Sequence, residues 1–364
     1  MKTTMKSRLS TYLLLMFFLV FLSNCSQKEE KDVFSDNIKE LNGNVLIPED
    51  FLQDPWTISV MDSFLFVGNM QGVPMVEAYN RFSKEQVNTF LTLGQGPLEI
   101  LALSNFQTAN GRLLIRDLFS KKILSVNKSN ISKDSVIVEP FFTLGDYDEN
   151  IVASIEKMVY MNDTYNIVYT NDSEGRLGLL DKRNKTLSHF YPFTEADILF
   201  PELDASRNNR LFSCDMTVNT TNNRVALSTH MADMLDIYEY ANDELKPVWH
   251  HHGFLPNGVK VMAFEDSPLQ AFYTNKSVFG HHDIVSSDKN VYALFVGISA
   301  EEGDIYFTDR VRVFDWNGRN RFEIKTNYPL KRIAVTPDDK TLYGISKDED
   351  NQFIIVYFDL TGLI

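Results

Sequence analysis

The 364-residue chain predicts an all-β fold, a six-bladed β-propeller whose ring is closed by an N-terminal strand. Three observations carry that expectation. A unit of apolar strand, polar turn, second apolar strand and third strand recurs six times. Marking each unit by an apolar residue of its first strand gives Ile58, Phe106, Val159, Met216, Ile284 and Ile333, in steps of 48, 53, 57, 68 and 49 residues. The third strands end alike, in an aromatic or aliphatic residue followed by a polar one: Tyr79-Asn80, Val126-Asn127, Leu180-Asp181, Tyr238-Glu239, Phe314-Asp315 and Phe358-Asp359. Finally, the sixth unit stops just after its third strand, so an outer strand is missing at the end of the chain.

The first unit runs Trp56–Val60, turns at Met61-Asp62-Ser63 and continues as Phe64–Val67. The second turns at Ala109-Asn110-Gly111 before Arg112–Ile115, and the third at Asn162-Asp163-Thr164 before Ile167–Tyr169. The fourth turns at Thr221-Asn222-Asn223 before Val225–Leu227, and the fifth at Ser287-Asp288-Lys289 before Val291–Phe295. In the sixth, Pro337 and Asp338 set a type I turn between Arg332–Val335 and Thr341–Ser346. An open edge there would expose unpaired backbone groups. Asn44–Ile47, upstream of the first unit, is the candidate to pair with it and close the ring.

Ahead of these units, Met1–Arg8 carries three basic residues and no acid, and Tyr12–Leu22 is an unbroken apolar run. That run is well short of the ~20 residues a spanning helix needs, so it reads as a secretory signal. The segment Leu22-Ser23-Asn24-Cys25 resembles a bacterial lipobox, with Asn24 larger than the usual small residue before the cysteine. The resemblance implies cleavage after residue 24 and lipid attachment at Cys25. Gln27-Lys28-Glu29-Glu30 resembles the lysine-plus-acid signal of surface-exported Bacteroidetes lipoproteins, which implies display on the outer membrane. The expected organisation is therefore a signal peptide over 1–24, a lipidated flexible tether over 25–40 and a propeller over 41–364. Cys214 then has no partner within the chain, so it reads as a small buried apolar residue, and stability must come from burial.

Loss of Lys2, Lys6 and Arg8 with the leader leaves 32 basic residues against 49 acidic ones, a net charge of −17. An acidic surface repels phosphate backbones, and no basic stripe with interleaved aromatics interrupts it, so nucleic acid is excluded as a partner.

Two segments carry a family resemblance. Leu93-Gly94-Gln95-Gly96-Pro97-Leu98-Glu99-Ile100 resembles the G-x-G-P-x-E turn that follows an outer strand, and Ile333–Ser346 resembles the inner-strand hairpin, of the TolB-like or NHL-like six-bladed propeller lipoproteins of Bacteroidetes. The resemblance spans about residues 40–364 and implies fold rather than activity. No helix is expected after Gly94-Gln95-Gly96, so the glycines read as a blade-to-blade turn and not as a phosphate cradle.

Polar residues just before the inner strands, Asp54, Asn105, Glu156, Asp215 and Asp283, with Lys331 and Arg332 in the sixth unit, are expected around one mouth of the central channel. Their oxygens would suit a hard cation such as Ca2+, as in propeller lactonases. Their offsets from the strand markers vary, however, so strand-entry polarity explains them as well, and no cofactor is required. His250-His251-His252 and His281-His282 bracket the longest interval and lack fixed metal-ligand spacing, so they read as a polar loop and its return. The function expected is a membrane-anchored binding or scaffolding propeller for a protein or glycan ligand. The alternative is a metal-dependent lactonase- or lyase-like enzyme using the acids of the channel mouth.

Overall fold

A computed structural model describes residue 34 and residues 36–364, apart from 49–51, 53, 71, 73, 173, 192–199, 264–267 and 320. The leader and Cys25 lie outside the described residues. Two strands, β1 (Ile38–Leu41) and β2 (Asn44–Ile47), precede the first blade. Blade I comprises β3 (Pro55–Met61), β4 (Phe64–Asn69), β5 (Val76–Asn80) and β6 (Gln86–Phe90). Blade II comprises β7 (Leu103–Ala109), β8 (Arg112–Asp117), β9 (Ile123–Asn127) and β10 (Val138–Phe142). A short helix, α1 (Glu149–Ser154), leads into blade III: β11 (Ile155–Tyr160), β12 (Tyr165–Thr170), β13 (Leu177–Asp181) and β14 (Thr186–Phe190). A second, α2 (Ala205–Arg210), leads into blade IV: β15 (Cys214–Asn219), β16 (Arg224–Thr229), β17 (Met234–Ala241) and β18 (Glu244–His252). A separate hairpin, β19 (Val259–Met262) and β20 (Gln270–Tyr273), occupies the long interval before blade V. Blade V is β21 (His281–Ser286), β22 (Asn290–Phe295), β23 (Thr308–Asp315) and β24 (Phe322–Leu330). Blade VI is β25 (Arg332–Val335), β26 (Thr341–Lys347) and β27 (Phe353–Asp359).

Strand position within a blade decides its pattern. Second strands are covered on both faces by neighbouring blades and read as continuous apolar runs, buried throughout after the first residue in β4, β8, β12 and β16. Outer strands such as β6 and β14 keep exposed positions. Between strands, Asn110 and Gly111 take φ of 51° and 69°, and Asn242 and Asp243 take 54° and 59°, the paired positive values of a tight hairpin turn. The turn at Pro337-Asp338 closes with Asp339 N–H donating to Thr336 O at 3.0 Å, as a type I turn requires. Gly94 sits in the link between blades I and II, where a Cβ would come 2.0 Å from Glu99 Oε2. That carboxylate accepts from Gly96 N–H at 2.8 Å, so the glycine pair forms a compact turn braced by its own glutamate.

The N-terminal strand closes the ring. β2 pairs antiparallel with β27, Asn44 opposite Tyr357 and Val45 opposite Val356. Leu46 and Ile47 then join Ile345 and Ile355 of blade VI against Ile58, Val67 and Tyr79 of blade I. Burying such side chains contributes ~1.5–3 kcal/mol each, so the seam is held by packing as well as by the ladder.

Residues 38–40, expected within the tether over 25–40, are strand. The folded unit begins at Phe34, and β1 adds to blade V as a fifth strand, parallel to β24 with Ile38 opposite Glu323 and Leu41 opposite Thr326. Phe34 itself is fully buried, edge-on to His251 at 5.4 Å and beneath the Arg312 guanidinium at 4.8 Å. The chain therefore enters the disc at the seam of blades IV and V, one blade earlier than a start at residue 41 implies.

Candidate functional site: the channel mouth

Pairing register defines the ring of residues that faces the central channel. In each blade, one inner-strand residue pairs with the fifth residue of the second strand: Thr57 with Gly68, Asn105 with Arg116, Lys157 with Tyr169, Asp215 with Ser228, Asp283 with Leu294, and Arg332 with Ile345. All six line one cavity of about 300 Å³ inside the inner strands, with Trp56 beside Thr57. The cavity is at the small end of ligand pockets, large enough for one compact unit of a ligand.

Three of the five residues expected at the mouth, Asn105, Asp215 and Asp283, stand in this ring. Glu156 does not. A β-bulge between Ile155 and Lys157 takes it out of register, and its Oε1 instead accepts from Asn171 Nδ2 at 2.8 Å. The same bulge turns Lys157 into the channel, so blade III contributes a cation where an acid was expected. Asp54 lies before the start of β3 and its backbone oxygen accepts from Met70 N–H; blade I offers Thr57 and Trp56 to the cavity instead. Similar shifts interrupt β3, β7 and β21, which is why the offsets from the sequence markers vary.

The ring is a set of matched charges. Lys157 Nζ lies 2.7 Å from Asp215 Oδ1, and His230 Nε2 lies 3.1 Å from Oδ2. Burial opposes charge on Asp215, but Lys157, His230 and Arg332 outweigh it and hold the carboxyl well below the usual carboxylate range. Asp283 shows the opposite balance. Burial pushes it up to about 6, with Arg332 opposing and Asp215 adding to the rise, while its oxygens accept from Ile333 N–H at 2.9 Å and Ile284 N–H at 3.0 Å. Arg332 donates to His282 O at 2.9 Å and its guanidinium stands 4.9 Å from the Trp56 ring centre. Asn105 Oδ1 is buried with no hydrogen-bond partner among the described residues, an acceptor left over in a channel wall.

No three of the expected carboxylates come within reach of one ion. Among the described residues, the one such group of histidine and carboxylate atoms is Asp236, His250 and His252, on blade IV. The histidines expected in a loop and its return are in fact strand residues, His250–His252 ending β18 and His281-His282 opening β21. His281 is fully buried, and burial pushes its imidazole down to about 3; His282 goes down to about 4 for the same reason, with Arg332 adding to it. Cys214 is buried beneath blades III and IV, and burial pushes its thiol up to about 12.

Sequence reading missed Lys157, Trp56 and His230. Strand length gives no signal for Lys157, since the bulged β11 has six residues, as does the unbulged β15. Trp56 carries a signal of its own, an aromatic at a strand entry beside polar positions.

No curated protein matches the sequence. Among solved structures, an inferred exported protein of Bacteroides fragilis aligns at 12% identity over 88% of this chain and 98% of its own, with a TM-score of 0.49. A calcium-binding regucalcin from Agrobacterium tumefaciens aligns at 8% over 88% and 95%, with 0.47, and a luciferin-regenerating enzyme at 11% over 87% and 94%, with 0.48. At that level of similarity none of them carries an argument about this chain. Residues 33–337, by contrast, match a family described as TolB-like 6-blade propeller-like, in keeping with the six blades closed around one channel, and the chain belongs to that family.

Proposed function

We propose that the protein is a lipid-anchored, surface-displayed binding propeller that receives a glycan unit at the channel mouth. The observation that carries this reading is the register-matched ring of Thr57, Asn105, Lys157, Asp215, Asp283 and Arg332. The two acids, Asp215 and Asp283, stand side by side between the cations Lys157 and Arg332, and on the other side of the ring the Asn105 amide oxygen has no partner among the described residues. A hydroxyl-bearing ring both donates and accepts, so it can donate to Asn105 while accepting from Lys157 or Arg332, and the Trp56 face offers a stacking surface. A protein ligand is less well matched, because a cavity of about 300 Å³ admits a single side chain or sugar rather than a surface.

The anchored location rests on Cys25 and the charged run after it, and no helix among the described residues is long and apolar enough to cross a membrane. The alternative, a metal-dependent lactonase- or lyase-like enzyme, requires several oxygen ligands converging on one point. At this mouth only Asp215 and Asp283 enter the ring among the expected acids, and both are engaged by protein donors.

Purified chain probed on a glycan array tests the reading. Binding that survives in the parent but falls at least tenfold in Asn105→Ala supports it. Absence of glycan binding, or binding indifferent to both Asn105→Ala and Arg332→Ala, would overturn it.

A further inference from the structure

The outer half of blade IV holds a second constellation, remote in role from the channel. β17 and β18 pair with Asp236 opposite His250 and Met234 opposite His252. Alternation along β18 puts His250 and His252 on one face and sends His251 to the other, toward Phe34 and Trp249. On the shared face both imidazoles meet one carboxylate oxygen: His250 Nδ1 lies 2.8 Å from Asp236 Oδ1, and His252 Nε2 lies 3.1 Å from the same atom. All three ligand atoms lie within 4.8 Å of one another.

The carboxylate is rigidly presented. Asp236 is 1% exposed, and its other oxygen accepts from Arg176 Nη1 at 2.8 Å, while Arg176 Nη2 donates to Thr229. Oδ1 is therefore offered alone, aimed between the rings. The histidine side chains are 43% and 38% exposed, so the arrangement opens to solvent on the side away from Asp236.

From these contacts we infer a binding site for a borderline divalent metal ion of the Zn2+ class, held by Asp236 Oδ1, His250 Nδ1 and His252 Nε2, with its remaining position open to water. At Zn–N and Zn–O distances of about 2.0–2.2 Å, neighbouring atoms of a tetrahedral ligand set stand about 3.3 Å apart. The two observed edges, 2.8 and 3.1 Å, need to widen by only a few tenths of an ångström. Each imidazole binds through its lone pair, with its proton on the far ring nitrogen, and Arg176 fixes the carboxylate from behind as an outer-shell partner. Two nitrogens with one oxygen favour Zn2+, Ni2+ or Co2+ over Ca2+, which takes six to eight oxygens. Three protein ligands and an open position are the pattern of a reactive or exchangeable ion rather than a closed structural one.

Calorimetric titration of the chelator-stripped chain with ZnCl2 tests the site. The expected result is one ion bound with a Kd of about 10 μM or tighter, no binding of CaCl2 under the same conditions, and at least tenfold weaker Zn2+ binding in the double variant His250→Ala/His252→Ala. Both histidines are solvent-facing, so the variant should keep the parent's far-ultraviolet circular dichroism; the single variants serve if it does not. A parent Kd weaker than about 100 μM, binding of Ca2+ in place of Zn2+, or stoichiometric Zn2+ binding that persists in the double variant would each overturn the assignment.

Discussion

Lys157 and Asp215, 58 residues apart in sequence and on adjacent blades, meet across the channel wall at 2.7 Å. The contact exists because a bulge displaced Glu156 and rotated Lys157 inward. It neutralises the one acid of blade IV in the ring and ties the inner strands of blades III and IV together.

Lys157→Met should therefore lower stability at neutral pH by about 1–2 kcal/mol, since it strands a largely buried carboxylate with His230 as its remaining close partner. The sign with pH follows from the depressed Asp215 value. A carboxyl held below its unfolded value adds stability that is complete above the ordinary carboxylate range and is lost as pH falls through its folded value. Urea midpoints of parent and variant should differ at pH 7 and converge in strong acid. A gap that stays constant from pH 7 downward would show that the pair does not set the titration.

Asp283 should titrate near 6, not near 4. Its raised value works against the fold at neutral pH: the folded state prefers the protonated acid, so this contribution is present below the unfolded value and is lost as pH rises through about 6. Carboxyl carbon chemical shifts from selectively labelled aspartate would give the midpoint directly. Arg332→Met should move it higher still, because the guanidinium is the main influence opposing burial. An Asp283 midpoint at the ordinary aspartate value would contradict the burial described here.

How much of this was legible in the sequence depends on the periodicity in question. All six markers, Ile58 to Ile333, fall on inner strands, because the second strand that follows each is a doubly covered apolar run and stands out from its turns. Asn44–Ile47 was legible by subtraction, since the last blade was one strand short. Ile38–Leu41 was not: a strand added in parallel to an existing edge has no hairpin turn and no unit to complete. Glu156 was misplaced because a bulge shifts register by one residue without altering composition. His250 and His252 were hidden for a different reason. Metal-ligand spacing is familiar as helical or turn spacing, whereas here alternation on β18 and a cross-strand aspartate assemble the group.

Cys214 should resist modification in the native protein. Its thiol is buried and pushed up to about 12, so almost no thiolate exists at neutral pH and no reagent reaches it without opening blades III and IV. Alkylation rates at pH 8 should follow the unfolding equilibrium as urea is raised. Rapid labelling in buffer alone would contradict the packing.

The proposed lipid anchor makes a prediction of its own. Cys25→Ala should release the protein from the membrane fraction, whereas neutralising Lys28, Glu29 and Glu30 should keep it lipidated but hidden from protease added to intact cells. Equal shaving of parent and neutralised proteins would remove the export role of that run.

The N-terminal strap should open in two separable stages. Phe34 is locked between His251, Phe314 and Arg312, and β1 rests on blade V by a single parallel ladder. Truncating a buried phenylalanine costs about 3–5 kcal/mol when the whole fold must absorb it. Here the chain before β2 can detach locally, so the loss is capped by the free energy of releasing that segment. Phe34→Ala should accordingly speed amide exchange across Ile38–Leu41 while leaving β2 and β27 protected. Deleting residues through 47 is different in kind, because it removes Leu46 and Ile47 from the seam of blades VI and I and bares the edge of β27. That truncation should lower the global unfolding midpoint and promote association through the open edge. If Phe34→Ala lowered protection of β2 and β1 alike, closure and strap would be a single cooperative unit rather than two.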